Sequence, residues 1–319
     1  MRRRLDAGGA QRAPSVHTQV SIGSVELPSA VMLASGTAGH GAELAQYLDL
    51  AAVGAVVVKS LAAYEWEGNP APRLHPAGTG MINAVGLQGP GIERWLEEDL
   101  PQLTALGARV VVSIWGRSVD DYRLAAELLA DAASGVVAVE VNLSCPNLEG
   151  RRSIFAHDPE LSAEVIAATA ACRLPRWAKL SPNTDRIVDV ARAVREAGAD
   201  AVTLVNTLLG MVLDERTMRP ALAVGGGGYS GRPLHAVAVR AVFDVHADMP
   251  DLPIVGVGGV STGWDAAELM LAGASAVQVG TALFAEPRAA ARIADELQRW
   301  VAEHGFAAVA DLTGLAHRH

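Results

Sequence analysis

The feature that most constrains the fold of this chain is a series of eight short apolar runs, rich in β-branched residues, with helical stretches between them. Such runs are typical of parallel strands that are buried on both faces. They are VMLA (31–34), AVVVK (55–59), RVVVSI (109–114), VVAVEVN (136–142), RWAKL (176–180), AVTLVN (201–206), PIVGVGG (253–259) and AVQVG (276–280). Strands that alternate with helices predict an α/β fold. An open doubly wound sheet is an alternative, but eight strands favour a closed TIM (β/α)8 barrel.

The segments around these runs support the same architecture. Residues 120–133 and 185–200 place apolar side chains three and four positions apart, which gives each predicted helix one buried face. Ahead of the first run, residues 18–29 alternate apolar and polar side chains around Gly23. This alternation predicts a short N-terminal β-hairpin at the barrel floor.

One barrel accounts for almost the whole chain. We expect residues 1–17 to be a loose N-terminal tail and residues 18–319 to be a single barrel domain, since barrels of this kind commonly run to about 250 residues or more. The two long insertions, at about 60–100 and 207–233, are expected to form loops on the top face.

Composition disfavours several classes of function. The net charge of −9 and the pI near 5.5 argue against nucleic acid as a partner, because neutralising phosphates requires clustered Lys and Arg. No run of about 18 apolar residues is present to span a membrane, and no apolar segment typical of a signal peptide follows the basic N-terminus. We therefore expect a cytoplasmic protein with neither a membrane nor a nucleic-acid partner.

Several unusual residues fall at the C-terminal ends of the predicted strands, where TIM barrels carry their chemistry. The pairs Gly258–Gly259 and Gly280–Thr281 end the last two runs, where backbone N–H groups and a helix N-terminus suit a phosphate. Glycines also serve simply to turn the chain from strand to helix. Lys59 and Lys179 end the second and fifth runs. A single lysine can snorkel to the rim, but two at one barrel mouth favour an anionic or electron-rich ligand.

A polar loop, NLSCPN, follows the fourth run and holds Cys145 between Asn142 and Asn147. A lone cysteine is usually a small buried apolar group. Amides on both sides, however, suit a polar planar substrate beside a thiol that can act as a base. Asn83 and Asn206 can join the same ligand, although loop asparagines more often cap helices or occupy turns.

The remaining candidates receive structural interpretations. Cys172 lies in a helical run and is expected to be a buried apolar group, and His157 and His235 are expected at the surface or at helix starts. The glycine-rich segment VGGGGYSG (224–231) is compatible with a flexible loop. No spacing of His, Cys or carboxylates suits a metal, so we predict no metal site.

Taken in chain order, the motifs resemble those of the class 1 dihydroorotate dehydrogenases over about residues 18–315. They are MLASGT, VVKS followed by EGNPAPR, GMINAVGLQGPG, NLSCPN, KLSPN, TLVNTLLGM, YSG, GVGGV and AGASAVQVGTALF. The resemblance implies a TIM barrel that binds FMN at the C-terminal ends of its strands. It also implies an enzyme of pyrimidine biosynthesis that oxidises dihydroorotate to orotate.

The resemblance also assigns roles to individual residues. It implies that Cys145 is the catalytic base, which removes a proton from C5 of dihydroorotate while the hydride on C6 passes to FMN. Contacts to FMN are implied for Ser35, Lys59, Ser60, Asn142, Lys179, Val205, Gly231, Gly258, Gly259, Gly280 and Thr281. Contacts to the substrate are implied for Lys59, Asn83, Ala84, Val85, Gly86, Leu87, Asn142, Asn147, Asn206 and Thr207.

The motif GMINAVGLQGPG is more similar to the NAD-linked class 1B type than to the fumarate-using homodimer. The implied partner is then a separate iron–sulfur and FAD subunit that passes electrons to NAD, in a homodimer or heterotetramer. Two alternatives stay open: a related FMN-dependent dihydropyrimidine oxidoreductase, whose base can also be a cysteine, and a non-catalytic flavin subunit that relays electrons.

Some positions depart from the family pattern. Ser113, followed by Trp115, stands where the family usually has an asparagine on the flavin side of the third strand. Gly89 replaces the commoner asparagine of GLQN. Arg151 and Arg152 occupy a segment that is glycine-rich in the family and resembles a lid.

Overall fold

The computed structural model describes residues 16–130, 135–144 and 154–318. Within them the strands are β1 (Val20–Ile22), β2 (Val25–Leu27), β3 (Val31–Leu33), β4 (Val56–Val57), β5 (Leu74–Ala77), β6 (Gly80–Asn83), β7 (Val110–Ile114), β8 (Val136–Asn142), β9 (Arg176–Lys179), β10 (Ala201–Leu204), β11 (Leu208–Gly210), β12 (Leu213–Asp214), β13 (Arg219–Pro220), β14 (Gly227–Gly231), β15 (Ile254–Val257) and β16 (Ala276–Val279). Strands β3, β4, β7, β8, β9, β10, β15 and β16 are parallel and close into a barrel in that order. These are the eight apolar runs, so the predicted TIM barrel is confirmed.

Helical segments separate successive barrel strands. The α-helices of the described residues are α1 (Ile92–Glu98), α2 (Leu100–Ala105), α3 (Val119–Leu129), α4 (Pro159–Ala168), α5 (Ile187–Glu196), α6 (His235–Asp248), α7 (Gly263–Ala272), α8 (Ala282–Ala285) and α9 (Ala289–Glu303). Helices α3 and α5 lie where the spacing of apolar residues predicts them. In the ranges that the structure describes, no helix has the length and apolar character needed to cross a membrane.

The barrel strands form the centre of the hydrophobic core. Every residue of β7, β10, β15 and β16 is buried. In β9, every residue after Arg176 is buried as well. Fully burying a Val, Leu or Ile side chain stabilises a fold by roughly 1.5–3 kcal/mol, which explains why β-branched runs dominate here. Four polar side chains of the barrel strands, Ser113, Glu140, Thr203 and Gln278, are equally buried. Burying a polar group is costly unless it is hydrogen-bonded, and the partners of Ser113, Glu140 and Gln278 belong to the site described below.

The predicted N-terminal hairpin is present. Strands β1 and β2 pair antiparallel, with Val20 opposite Leu27 and Ile22 opposite Val25. Gly23 makes the turn at φ 58°, and a Cβ there would lie 3.6 Å from the carbonyl oxygen of Asp200, which directly precedes β10. The hairpin therefore lies at the N-terminal end of the barrel, as predicted.

The two long insertions lie together and contain strands that the sequence did not predict. Strands β5 and β6 of the first insertion and β11 and β14 of the second form one antiparallel sheet in the order β11-β14-β6-β5. The flexible-loop interpretation of residues 224–231 is wrong for β14, which pairs on both sides. Its glycines permit this pairing, since a Cβ on Gly227 would lie against the carbonyl oxygen of Asn83.

Candidate functional site

A cavity of about 790 Å³ opens at the C-terminal mouth of the barrel. TIM-barrel active sites lie at this face. Every described residue assigned above to FMN or to substrate lines this cavity. The structure thus brings together residues from the ends of β3, β4, β8, β9, β10, β15 and β16 and from both insertions. Cys145 and Asn147, like Arg151 and Arg152, lie outside the described residues.

Lys179, the last residue of β9, lies at the cavity floor with a charged partner. Its Nζ donates hydrogen bonds to Glu140 Oε1 at 3.1 Å, to Gln278 Oε1 at 3.4 Å and to Ser35 Oγ at 3.4 Å. Gln278 Nε2 donates to Glu140 Oε2 at 2.8 Å, so both carboxylate oxygens accept a hydrogen bond. A buried charge is costly unless it is paired and hydrogen-bonded. This arrangement explains how an ammonium that is only 5% exposed is retained at the floor.

A second polar network around Asn142 links four barrel strands, β4, β7, β8 and β10. The Asn142 side chain donates to Ser60 Oγ at 3.2 Å and accepts at Oδ1 from Asn206 Nδ2 at 3.1 Å. Ser60 Oγ lies 2.9 Å from Ser113 Oγ, and Tyr122 donates its hydroxyl hydrogen to the carbonyl oxygen of Asn142 at 2.6 Å. The network fixes the orientation of two of the predicted amides beside the cavity.

Glycines form the side of the cavity next to β15. Gly231, Gly258 and Gly259 line it with φ angles of 97°, 142° and 68°, which side chains disfavour. A Cβ on Gly259 would lie 2.8 Å from the Cβ of His235, and one on Gly258 would lie 2.7 Å from the Cβ of Ala238. Only bare backbone fits here, which leaves room for an anion such as a phosphate to approach main-chain N–H groups.

A carboxylate of the chain binds backbone amides at the N-terminus of the helix that follows this glycine pair. Asp265 Oδ2 accepts hydrogen bonds from the backbone nitrogens of Ser261 at 2.9 Å and Thr262 at 2.8 Å, at the N-terminus of α7. Burial alone would raise the pKa of the Asp265 carboxyl, but hydrogen bonds with Ser261 and Thr262 and the nearby charges of His235 and Arg232 lower it overall. The protein's own carboxylate therefore binds these two amides at the start of α7.

The loop that begins at the end of β6, called the β6 loop (83–87), forms another wall of the cavity. The preceding insertion segment holds its backbone from outside. Trp66 Nε1 donates to the carbonyl oxygen of Gly86 at 2.9 Å, and Asn69 Nδ2 donates to that of Ala84 at 3.0 Å. The loop is therefore positioned by side chains that do not line the cavity.

Lys59 brings a second positive charge to the cavity. It lies beside Gly36, where a Cβ would be 3.6 Å from Lys59 Nζ. Burial, followed by the positive charge of Lys59, lowers the pKa of nearby His40. Lys59 and Lys179 thus contribute to one cavity, as the sequence predicts for two lysines at one barrel mouth.

Sequence reasoning missed three residues of the site. Glu140 and Gln278 each had a signal, since each is a polar residue with apolar neighbours on both sides in a barrel strand, but nothing in the sequence showed that they would meet. Asn183 lies in the quoted motif KLSPN and lines the cavity. Its amide donates to the carbonyl oxygen of Thr207 at 2.9 Å and accepts from the backbone nitrogen of Leu209 at 2.8 Å, which fixes the start of the second insertion.

Two of the residues given structural interpretations, Cys172 and His235, lie as expected. Cys172 is fully buried, and burial raises the pKa of its thiol. His235 is the first residue of α6, and His157 ends a short 3-10 turn with its Nε2 3.4 Å from Ser181 Oγ. Among the residues that the structure describes, no three His, Cys, Asp or Glu side chains cluster as metal ligands would.

Comparison with known proteins places this site in a family. The family model described as dihydroorotate dehydrogenase matches residues 17–301. The chain belongs to the dihydroorotate dehydrogenase family. Its members are flavin-dependent oxidoreductases, and the chain is accordingly an oxidoreductase.

Relatives in this family resemble the chain over almost its full length. The protein of Desulforudis audaxviator named dihydroorotate dehydrogenase B (NAD(+)), catalytic subunit, is 46% identical over 305 residues, which cover 95% of this chain and 98% of the relative. The Geobacter sulfurreducens protein of the same name is 43% identical over 296 residues, covering 92% and 96%. The crystal structure of DHODH from Eimeria tenella in complex with ferulenol superposes with a TM-score of 0.77 at 26% identity, covering 95% of this chain and 89% of that one.

The structure explains how this dihydroorotate dehydrogenase family member accommodates its departures at the third barrel strand. Ser113 does not line the cavity but supports Ser60, which does. The ring of Trp115 packs edge-on against those of Trp66, at a centroid distance of 5.9 Å, and Tyr64, at 6.5 Å. Trp115 therefore stabilises the tryptophan that holds the β6 loop.

Proposed function

We propose that this chain is the catalytic subunit of an NAD-linked, class 1B dihydroorotate dehydrogenase, which oxidises dihydroorotate to orotate with FMN in pyrimidine biosynthesis. The observation that carries the proposal is the cavity itself. It joins two lysines, a cluster of asparagine amides and a wall of bare glycine backbone at the face where TIM barrels carry their active sites. The names of the relatives, which include both dihydroorotate and NAD, support the same choice.

The cavity fits FMN in size and in chemistry. Its volume of about 790 Å³ lies within the range of pockets for small ligands and cofactors. The glycine wall suits the phosphate, and the floor lysine suits an electron-rich ring. The residues proposed to hold FMN are Ser35, Lys59, Ser60, Asn142, Lys179, Val205, Gly231, Gly258, Gly259, Gly280 and Thr281.

The proposed substrate contacts follow from charge and hydrogen-bonding capacity. The ammonium of Lys59 suits the carboxylate of dihydroorotate, and the amides of Asn83 and Asn206 can donate to and accept from its imide. Cys145 is proposed as the base that removes the C5 proton as the C6 hydride departs. When bound, FMN supplies the acceptor for that hydride. Remaining proposed contacts are Ala84, Val85, Gly86, Leu87, Asn142, Asn147 and Thr207.

The proposal extends to the assembly. Because the relatives are named as catalytic subunits, we propose that this chain works with a second subunit, which carries FAD and an iron–sulfur cluster and passes electrons to NAD. Residues 18–319 act as one FMN-binding domain, in a homodimer or heterotetramer. A location in the cytoplasm and the identity of FMN as the flavin are part of the same proposal.

The test is the reductive half-reaction of the purified chain, followed as loss of flavin absorbance after addition of dihydroorotate. We expect a yellow protein that releases FMN on denaturation. Cys145→Ala should slow bleaching by about 10² to 10⁴ while FMN stays bound, because a positioned base contributes a rate factor of that order. Cys172→Ala, which alters a buried cysteine outside the cavity, should bleach at the normal rate.

Three outcomes would contradict the proposal. They are a colourless protein that cannot be reconstituted with FMN, near-normal bleaching in Cys145→Ala, and bleaching by dihydrouracil in preference to dihydroorotate. Rapid reduction of NAD by the chain alone would remove the need for a second subunit. We expect the chain alone to reduce artificial dyes instead of NAD.

A further inference from the structure

Beneath the cavity, a fully buried charged group has no role in the proposed reaction. Glu140 of β8 and Gln278 of β16 do not line the cavity, yet both meet Lys179, which does. The contacts form a closed triangle. Lys179 donates to each of the other two residues, and Gln278 donates to Glu140.

Stability alone is a weak reason to place this group inside a barrel. A buried ion pair is often no more stable than apolar residues of the same volume, because desolvation offsets the attraction between the charges. Removing one partner, in contrast, strands a buried charge at high cost. The triangle therefore adds little net stability, and losing any one member is costly, while it directs its single ammonium towards Ser35 at the cavity surface.

Gln278 sets the geometry of the pair. Its amide oxygen accepts from Lys179 and its amide nitrogen donates to Glu140, so the side chain fits in one orientation only. Glu140 keeps one oxygen for each neighbour. The position of the ammonium is thereby fixed from two barrel strands, β8 and β16, that lie on either side of the barrel interior.

We propose that Glu140 and Gln278 are positioning residues that keep the charged ammonium of Lys179 at the cavity floor and so set how readily the bound flavin is reduced. This inference rests on the proposal that FMN occupies the cavity. Reduction adds negative charge to the flavin, and a fixed positive charge beside it stabilises the reduced form.

The direction of the effect follows from burial. Without Glu140, a lone ammonium at the floor is stranded, and the side chain escapes this cost by turning towards the cavity mouth or by losing its proton. Either response withdraws positive charge from the floor. The bound flavin then becomes harder to reduce, and its midpoint potential falls.

The experiment is a double-mutant cycle between Glu140→Gln and Lys179→Met, with midpoint potentials of the bound flavin measured by equilibration with redox dyes. In the otherwise wild-type protein, Glu140→Gln should lower the equilibrium constant for flavin reduction by about tenfold, or about 30 mV for a two-electron couple. In the Lys179→Met background, the same change should alter it less than about twofold, since no ammonium remains to be positioned. Gln278→Leu should shift the potential in the same direction by a smaller amount.

An unchanged or raised potential in Glu140→Gln overturns the proposal, as does an equal shift in both backgrounds. Thermal unfolding of the flavin-free protein provides a second measurement. Each single substitution should lower Tm more than the double substitution does, because the double variant strands no charge. Additive losses of Tm would contradict the coupling. If the chain binds no flavin at all, the proposed function fails, and this unfolding cycle still decides whether the pair is coupled.

Discussion

The cavity is built from two regions with different origins. Its floor comes from the ends of barrel strands, with the buried triangle of Glu140, Lys179 and Gln278 and the glycine pair after β15. Its wall comes from the two insertions, with the β6 loop and the sheet of β11, β14, β6 and β5. The floor is held by side-chain contacts inside the barrel, whereas the wall is held by hydrogen bonds to its backbone.

This difference separates two tasks. Groups on barrel strands are fixed by the packing of the whole core, which suits a cofactor that must stay in place. The wall depends on a few contacts such as that of Trp66 with Gly86, and such regions open more easily than a core does. We therefore expect changes to the floor to affect flavin binding and changes to the wall to affect substrate affinity.

The largest expected effect is at the floor, in Gly259→Ala. An alanine here must adopt φ 68° with its Cβ 2.8 Å from the Cβ of His235 and 2.9 Å from the carbonyl oxygen of Gly231. The floor of the cavity must shift at this position, and we expect FMN to bind at least about 100-fold more weakly, or about 2.7 kcal/mol. Fluorescence titration of the flavin-free protein with FMN measures this.

Gly305→Ala is the matched control for this change. Gly305 has φ 78°, but a Cβ there meets nothing within 4 Å. It should lose some stability through backbone strain and retain normal FMN affinity. Similar FMN affinities in the two variants would show that crowding at Gly259 does not matter.

At the wall, Trp66→Phe should produce a smaller and different effect. The substitution removes the hydrogen bond to Gly86 and leaves that partly buried carbonyl oxygen without this donor, a loss of about 1–3 kcal/mol. We expect the β6 loop to move and the KM for dihydroorotate to rise about tenfold, with FMN content unchanged. Steady-state kinetics with an artificial acceptor separates KM from kcat.

Trp264→Phe offers the comparison for Trp66→Phe, because Trp264 is 47% exposed on α7 and lies outside the cavity. Its kinetics should match those of the unaltered chain. Loss of FMN from Trp66→Phe, with KM unchanged in the protein that retains it, would erase the proposed division between floor and wall.

The floor was largely predictable from sequence, and its physical basis is simple. The spacing and composition of the apolar runs located all eight strands. Because the C-terminal ends of the strands meet at one barrel mouth, Lys179, Asn142 and Gly258 could be brought together without a structure. The hydrogen bond between Glu140 and Gln278 could not be predicted from the sequence. It depends on which side chains of separate strands meet inside the barrel, and that register is a property of the closed sheet.

The wall was hardly predictable. Gly228 pairs with Asn83 across 145 positions of sequence, and the glycine run that makes β14 has low strand propensity. Only the approach of two backbones makes glycine favourable there. Asp265 shows the same limit at the floor, because its contact with the backbone amides of Ser261 and Thr262 was not predicted from the sequence.

The smallest effect should come from Ser113→Ala, which tests how far the floor tolerates loss of a contact behind it. Ser113 Oγ lies 2.9 Å from Ser60 Oγ, but Ser60 also accepts from Asn142, so its hydroxyl keeps a partner. We expect the free energy of unfolding to fall by about 1 kcal/mol, the usual net value of one hydrogen bond, and FMN affinity to change less than about threefold. Thr203→Val provides the control, since Thr203 is as buried and its hydroxyl has no hydrogen-bond partner among the described residues, so its removal should cost nothing. Urea unfolding and FMN titration of both variants measure the two quantities. A large loss of FMN affinity in Ser113→Ala would mean that this serine performs part of the flavin-binding role of the asparagine that it replaces.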